Sequence, residues 1–305
     1  MKKVFKRIAL ILFIFLVLLI GILVAIPFLF KDRIIEIAKT EINNNVRAEV
    51  DFADVNLSFF RSFPDLSLGL EDFSVVGVDE FAGIPLASGK EAGFTVDVMS
   101  LINSDGPVNI KSVSLVEPRL NIQVLPDGTA NYDIAIASDE PVEADTTTTD
   151  LTGLEIALRR YSIEGAQLVY NDQSLDMYVA AENFNHSGVG NFTLDIYDLD
   201  TETSIDALTV RYDGITYLDA AQLALDAIFN INMPESKYTL RDNALTVNAL
   251  HLAADGFVQL LEEDINMDLT FSTPDSDFRA LWSLIPNAYT ADYASVDIQG
   301  DFQLA

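Results

Sequence analysis

The side chains able to do chemistry are few and scattered. The only two histidines, His186 and His251, stand far apart, each in a strand-like segment or the loop beside one. Titration near neutrality gives histidine its catalytic value, but a single one in such a setting reads as a packing or surface residue. No cysteine is present, which removes disulfides, thiol nucleophiles, thiolate metal sites and lipoprotein-type acylation together. There is no Gly-x-Ser-x-Gly elbow, no phosphate-binding loop and no His-Glu-x-x-His. Gly188-Val189-Gly190 lacks the third glycine and the strand-to-helix setting of a dinucleotide loop. "DIYDLDTETSID" holds Asp195, Asp198, Asp200, Glu202 and Asp206. Oxygen ligands at alternate positions suggest a calcium loop, yet the obligatory turn glycine is missing. The residues point to no active site: no enzyme, no cofactor and no resident metal are expected.

The charge is distributed as unevenly as the chemistry. Residues 1–33 carry six basic side chains against Asp32 alone, a net of +5, which leaves −34 for the rest of a chain whose total is −29. Phosphate backbones would repel so acidic a body, so nucleic acid is excluded as a partner. Broad adhesion to anionic lipid surfaces is disfavoured for the same reason. Half the residues are hydrophobic, enough for a large core or a lined cavity and too many for a disordered chain. An exported body without cysteine fits a bacterial periplasm better than a eukaryotic secreted domain.

The elements follow from patterning. A basic tail, residues 1–7, precedes Ile8 to Phe30, a stretch without charge. As a helix it spans about 34 Å against a hydrocarbon core of about 30 Å, whereas the apolar region of a signal peptide has only about 7–15 residues. It is expected to be a single transmembrane anchor in the bacterial inner membrane, with the N-terminus cytoplasmic and the body periplasmic. Residues 31–46 place Ile34, Ile37, Ala38 and Ile42 on one face, the pattern of a short amphipathic helix that either lies on the membrane or plugs the end of the body.

From residue 47 a two-residue period takes over, in a first β-portion (47–136) and a second (151–305). "EVDFADVNLSFF" slips by one residue after Phe52, which predicts a bulge. "GFTVDVMS" alternates at Phe94, Val96 and Val98. "AQLALDAIFNINM" is apolar at every second position from Leu223 to Met233, and "INMDLTFS" sets Ile265, Met267, Leu269 and Phe271 against Asn266, Asp268, Thr270 and Ser272. Asp-Gly turns separate the runs, giving about fifteen strands; at about 4.8 Å each these would extend about 70 Å. Residues 137–150 form an acidic, Thr-rich loop. Residues 275–289 have Phe278, Leu281, Trp282 and Ile285 at helical spacing, with Ser276 as N-cap. The final "VDIQGDFQLA" reads as the start of another hairpin, so the chain is expected to continue.

In this order the segments resemble the N-terminal region of the AsmA family of bacterial envelope proteins. The resemblance rests on "VDFADVNLSFFRSFPDLSLGLEDFSVVG" after the anchor, with Phe63-Pro64 before a strand, and on "EPRLNIQVLPDGTANYDI", which has Pro118, Gly128, Asn131, Tyr132 and Asp133. It rests also on "YSIEGAQLVYND", "YTLRDNALTVNALHLAADGFVQL" and "DFRALWSLIPNAY". It implies one inner-membrane helix followed by a mainly β body: a long curved antiparallel sheet forming an open apolar groove. The implied partners are phospholipids, whose acyl chains the groove would carry between membranes in support of outer-membrane lipid homeostasis and assembly, and an outer-membrane or periplasmic protein. The groove-lining candidates are Leu120, Ile122, Val124, Phe229, Ile231, Ile265, Met267, Leu269 and Phe271. Periodicity alone leaves two other solutions open. One is a closed β-sandwich whose apolar faces bury each other; the other is an envelope scaffold binding another protein through exposed strand edges.

Overall fold

The computed structural model describes residues 35–36, 39–40, 42–58, 62–102, 108–136, 154–261, 264–273, 276–282, 284–286, 289 and 299–302. Two compact units divide at Asn45/Val46. In the first, the described residues are helical up to Asn45. Thr40 Oγ1 donates to the Glu36 carbonyl and Asn43 Nδ2 to the Lys39 carbonyl, both at 2.8 Å, side-chain bonds reaching back one helical turn. The expected anchor at 8–30 and the acidic loop at 137–150 lie outside the described residues.

The second unit is built on one sheet. Its strands are β1 (Ala48–Asp51), β2 (Asp54–Ser58), β3 (Leu66–Gly77), β4 (Pro85–Val96), β5 (Val108–Val116), β6 (Arg119–Val124) and β7 (Leu154–Asp172). They continue as β8 (Met177–Gly190), β9 (Ile196–Tyr212), β10 (Ile215–Asn232), β11 (Lys237–Val247), β12 (Leu250–Leu260) and β13 (Ile265–Ser272). The thirteen strands run in the order β1-β3-β4-β5-β7 and then consecutively to β13, with β2 beside β3 and β6 between β4 and β7. Two pairs of short strands thus lie end to end: β1 with β2, where the slip after Phe52 was predicted, and β5 with β6. This stacking leaves eleven positions across the sheet, about 50 Å rather than 70.

One expectation is corrected. The sheet is mixed, because β5 and β6 both run parallel to β7. Parallel neighbours need a long return connection, whose described part is residues 125–136. At the start of this return Asn131 is buried, with Nδ2 donating to the Asn121 carbonyl at 2.7 Å and Oδ1 accepting from Gln123 N at 2.9 Å. Its own N–H donates to the Gln123 carbonyl at 3.0 Å. The asparagine of the "ANYD" segment thus docks along β6. Arg47 N then meets the Ile134 carbonyl at 2.7 Å.

The long strands bend along a common line. Glu117, Gly165 and Asn183 have φ values of 48°, 64° and 49°. They are neighbours, with a Cβ built on Gly165 lying 3.6 Å from Glu117 Cγ and 3.9 Å from Asn183 Oδ1. Asp72 on β3 (φ 48°) and Ala220 on β10 (φ 49°) mark the equivalent points of their strands. Lys90–Glu117 at 3.2 Å and Asn183–Asp206 at 2.8 Å link side chains across the same line. Aligned bulges sharpen the bend and twist of every strand they cross.

Two local expectations differ. Val98 does not continue β4 but opens α1 (Val98–Ile102): Asp97 Oδ1 accepts from Met99 N at 2.8 Å, while Lys111 Nζ grips Asp97 and Asp65, also at 2.8 Å. In the 275–289 segment Phe278–Trp282 (α2) forms a short helix among the described residues. Ser276 lies instead in β14 (Ser276–Asp277), paired with β15 (Asp301–Phe302).

Candidate functional site

Residues directly opposite across a strand pair share a face, so the register defines the two surfaces of the sheet. One row begins Val55–Leu70–Ala92–Leu115–Ile163 and continues His186–Thr203–Leu225–Leu245–Leu252. A second runs Val50–Val75–Ala87–Leu120 and then Leu168–Ala181–Leu208–Ala221. One residue along each strand the surface inverts: Asn56–Gly69–Gly93–Ser114–Ser162–Ser187–Glu202–Asp226. A single apolar face therefore extends from β1 and β2 through β12, backed by a polar one.

All nine residues expected to line a groove fall on this apolar face. Leu120, Ile122 and Val124 stand opposite Leu168, Tyr170 and Asp172. Phe229 continues through Leu240 and Gly256 to Leu269, and Ile231 through Tyr238 and Val258 to Met267. Ile265 and Phe271 stand opposite Leu260 and Ala254. Their exposure depends on position. Val124 and Ile231 are buried; Leu120, Ile122, Phe229 and Leu269 are half-buried. Ile265, Met267 and Phe271, on edge strand β13, are 54%, 58% and 57% exposed.

The pattern of burial bears on whether this face is covered. In a closed sandwich large inner side chains lose nearly all exposure. Here the buried members of the face are a mixture of small residues, Ala92, Ala166, Ala181, Ala221 and Ala227, and a few larger ones, Val55, Val124 and Ile231. Leu70, Phe94, Leu115, Leu168, Leu199 and Leu225 remain half-buried. Among the described residues the only other sheet is the two-stranded β14–β15 pair. The two edges of the main sheet, β1 with β2 and β13, do not pair with each other, so it is not a closed barrel.

The family model for the AsmA family matches residues 1–195. The chain belongs to the AsmA family. The match runs from the N-terminus through β8, and the same sheet continues beyond it through β9 to β13. No curated protein matches the chain.

The two buried polar side chains Asp172 and Thr201 are hydrogen-bonded within the apolar face. Asp172 accepts from Ser174 N, Ser174 Oγ, Leu175 N and Tyr170 Oη at 2.6–3.0 Å. These bonds, led by the Ser174 hydroxyl, hold its carboxyl below the usual carboxylate range. Thr201, also buried, donates to the Ala227 carbonyl at 3.0 Å. His186 contacts Tyr161 Oη through Nε2 at 2.9 Å and Thr203 Oγ1 through Nδ1 at 2.8 Å, and burial lowers its pKa.

An aromatic group surrounds this histidine. Phe184 stacks on it at 5.9 Å, Tyr161 tilts against it at 5.2 Å, and Phe192 bridges Tyr161 to Tyr197 at 6.1 and 5.0 Å. Gly188 makes room, since a Cβ there would lie 2.4 Å from the Tyr161 ring. The Gly-Val-Gly segment is thus a packing device between β7 and β9. The carboxylates Asp198, Asp200 and Glu202 alternate along β9 on the exposed polar face. Among the described residues no group of three or more potential ligands could hold a metal ion.

Proposed function

We propose that this AsmA-family protein is anchored in the bacterial inner membrane by residues 8–30 and presents its β body to the periplasm. There the apolar face carries phospholipid acyl chains between membranes, without chemistry, in support of outer-membrane lipid homeostasis and assembly. The observation that carries this reading is the continuity of one apolar face across the sheet together with the half-exposure of its large side chains. A two-chain phospholipid has about 30 methylenes, which at ~0.8 kcal/mol each resist water by about 24 kcal/mol. A surface that keeps the tails dry removes that barrier by continuity alone. The polar, acidic opposite face stays solvated.

A second reading, an envelope scaffold, draws on the exposed side chains of edge strand β13, where a partner protein's strand would add to the sheet. Lipid content separates the two. The full-length protein and variants are purified in mild detergent, and bound phospholipid per chain is measured by mass spectrometry. Leu225→Asp, on the apolar face, is expected to lose lipid, while Ala224→Asp, its neighbour on the polar face, retains it. Equal lipid in both variants and the parent overturns the lipid reading.

A further inference from the structure

The row Val55 to Leu252 is hydrocarbon except at two adjacent positions, His186 and Thr203. With Tyr161 they form a hydrogen-bonded chain across β7, β8 and β9. Its proton count is unbalanced. The tyrosine and threonine hydroxyls bring two O–H donors, and the neutral imidazole offers a single lone pair. Whichever tautomer is present, at least one hydroxyl proton has no acceptor in the chain. Among the described residues neither hydroxyl has a second hydrogen-bond partner beyond the ring. All three side chains are half-buried, so the spare donor stays open to an acceptor seated on the face.

The geometry points to Tyr161–His186–Thr203 as a binding point for a neutral carbonyl oxygen carried by hydrocarbon: the ester of a diacyl glycerolipid seated on the apolar face. This rests on the lipid-carrying reading. The donor is uncharged and its neighbours in the row are Ile163 and Leu225, so it suits an ester rather than a phosphate, which calls for cationic or multiple donors. Such a point recognises what all diacyl glycerolipids share and ignores their headgroups. Gly188 and the ring contacts fix the tyrosine at the spot.

The test compares two competitors on the full-length protein in detergent, loaded with a pyrene-labelled phosphatidylethanolamine. One is dipalmitoyl phosphatidylethanolamine; the other is its dihexadecyl ether analogue, which has the same headgroup and chain length but lacks the ester carbonyls. The parent is expected to prefer the diester by about two- to tenfold, the worth of one net hydrogen bond. The Tyr161→Phe/His186→Phe/Thr203→Val triple variant removes every side-chain donor of the chain and is expected to bind both analogues equally. Equal binding of diester and diether by the parent overturns the carbonyl site and leaves the lipid reading standing. A preference that persists in the triple variant overturns the site as well. Displacement by neither competitor, with no label retained, defeats the lipid reading itself.

Discussion

The packing of Tyr161 against Gly188 makes a sharp prediction about coupling. A Cβ at residue 188 would lie 2.4 Å from Tyr161 Cε1 and Cζ and 2.5 Å from its hydroxyl. The ring must retreat by about 1 Å or more to reach ordinary contact, which stretches the 2.9 Å bond to His186 beyond hydrogen-bond range. Overpacking costs about 1–3 kcal/mol, and the lost hydrogen bond about 0.5–1.5 kcal/mol. Against these stands about 0.4–1 kcal/mol gained by replacing a glycine whose backbone tolerates alanine. Gly188→Ala should therefore destabilise by about 2 kcal/mol, within about 0.5–4 kcal/mol. In a Tyr161→Ala background the obstacle is gone, and the same substitution should be neutral or slightly stabilising. The assay is a double-mutant cycle by urea denaturation of the full-length protein in detergent, followed by circular dichroism of the β signal. A coupling energy near zero, with Gly188→Ala equally costly in both backgrounds, would refute the packing argument.

Three further outcomes are expected. Gly256 has φ 123° and its added Cβ would lie 1.8 Å from the Asp268 carbonyl oxygen; because the obstacle is backbone, Gly256→Ala should prise β13 from β12 and speed hydrogen exchange in 265–272 while leaving β9 and β10 protected. Burial lowers the His186 pKa, so the unfolded chain takes up its proton first. Stability should fall as pH drops below about 6.5 and the loss should level off below the depressed folded pKa. His186→Asn should remove that part of the slope in pH-dependent denaturation. Asn131→Ala breaks both side-chain bonds to β6 and should cost about 1–3 kcal/mol, with exchange rising at Gln123; an unchanged midpoint would leave Asn131 without its docking role.

How much of this was legible follows from which interactions are local. Alternation at Leu223 to Ile231 and at Ile265 to Phe271 identified strands because one wet face forces a period of two. The same logic put all nine nominated residues on one face without any knowledge of pairing. It failed at Val98, where the alternation continues but Asp97, pinned by Lys111, turns the chain into α1. The parallel run of β5 and β6 beside β7 was hidden, since nothing local to Val108–Val124 names a partner beyond the return loop. The Tyr161–His186–Thr203 chain was hidden for a related reason: its members are brought together by cross-strand register and by bulges at Gly165 and Asn183. No fixed sequence spacing marks it. The glycines at 188 and 190 were the available signal, as places where a neighbouring ring approaches the backbone.

The central claim is that the apolar face meets lipid tails. Its most direct test is photo-crosslinking in cells, with the reactive residue placed at Leu225 and separately at Asp226 in β10, neighbours on opposite faces. Phospholipid adducts at 225 and none at 226 are the predicted result. Adducts at neither position, with 225 crosslinking only within its own chain, would mean that the face is a dry core and would contradict the account.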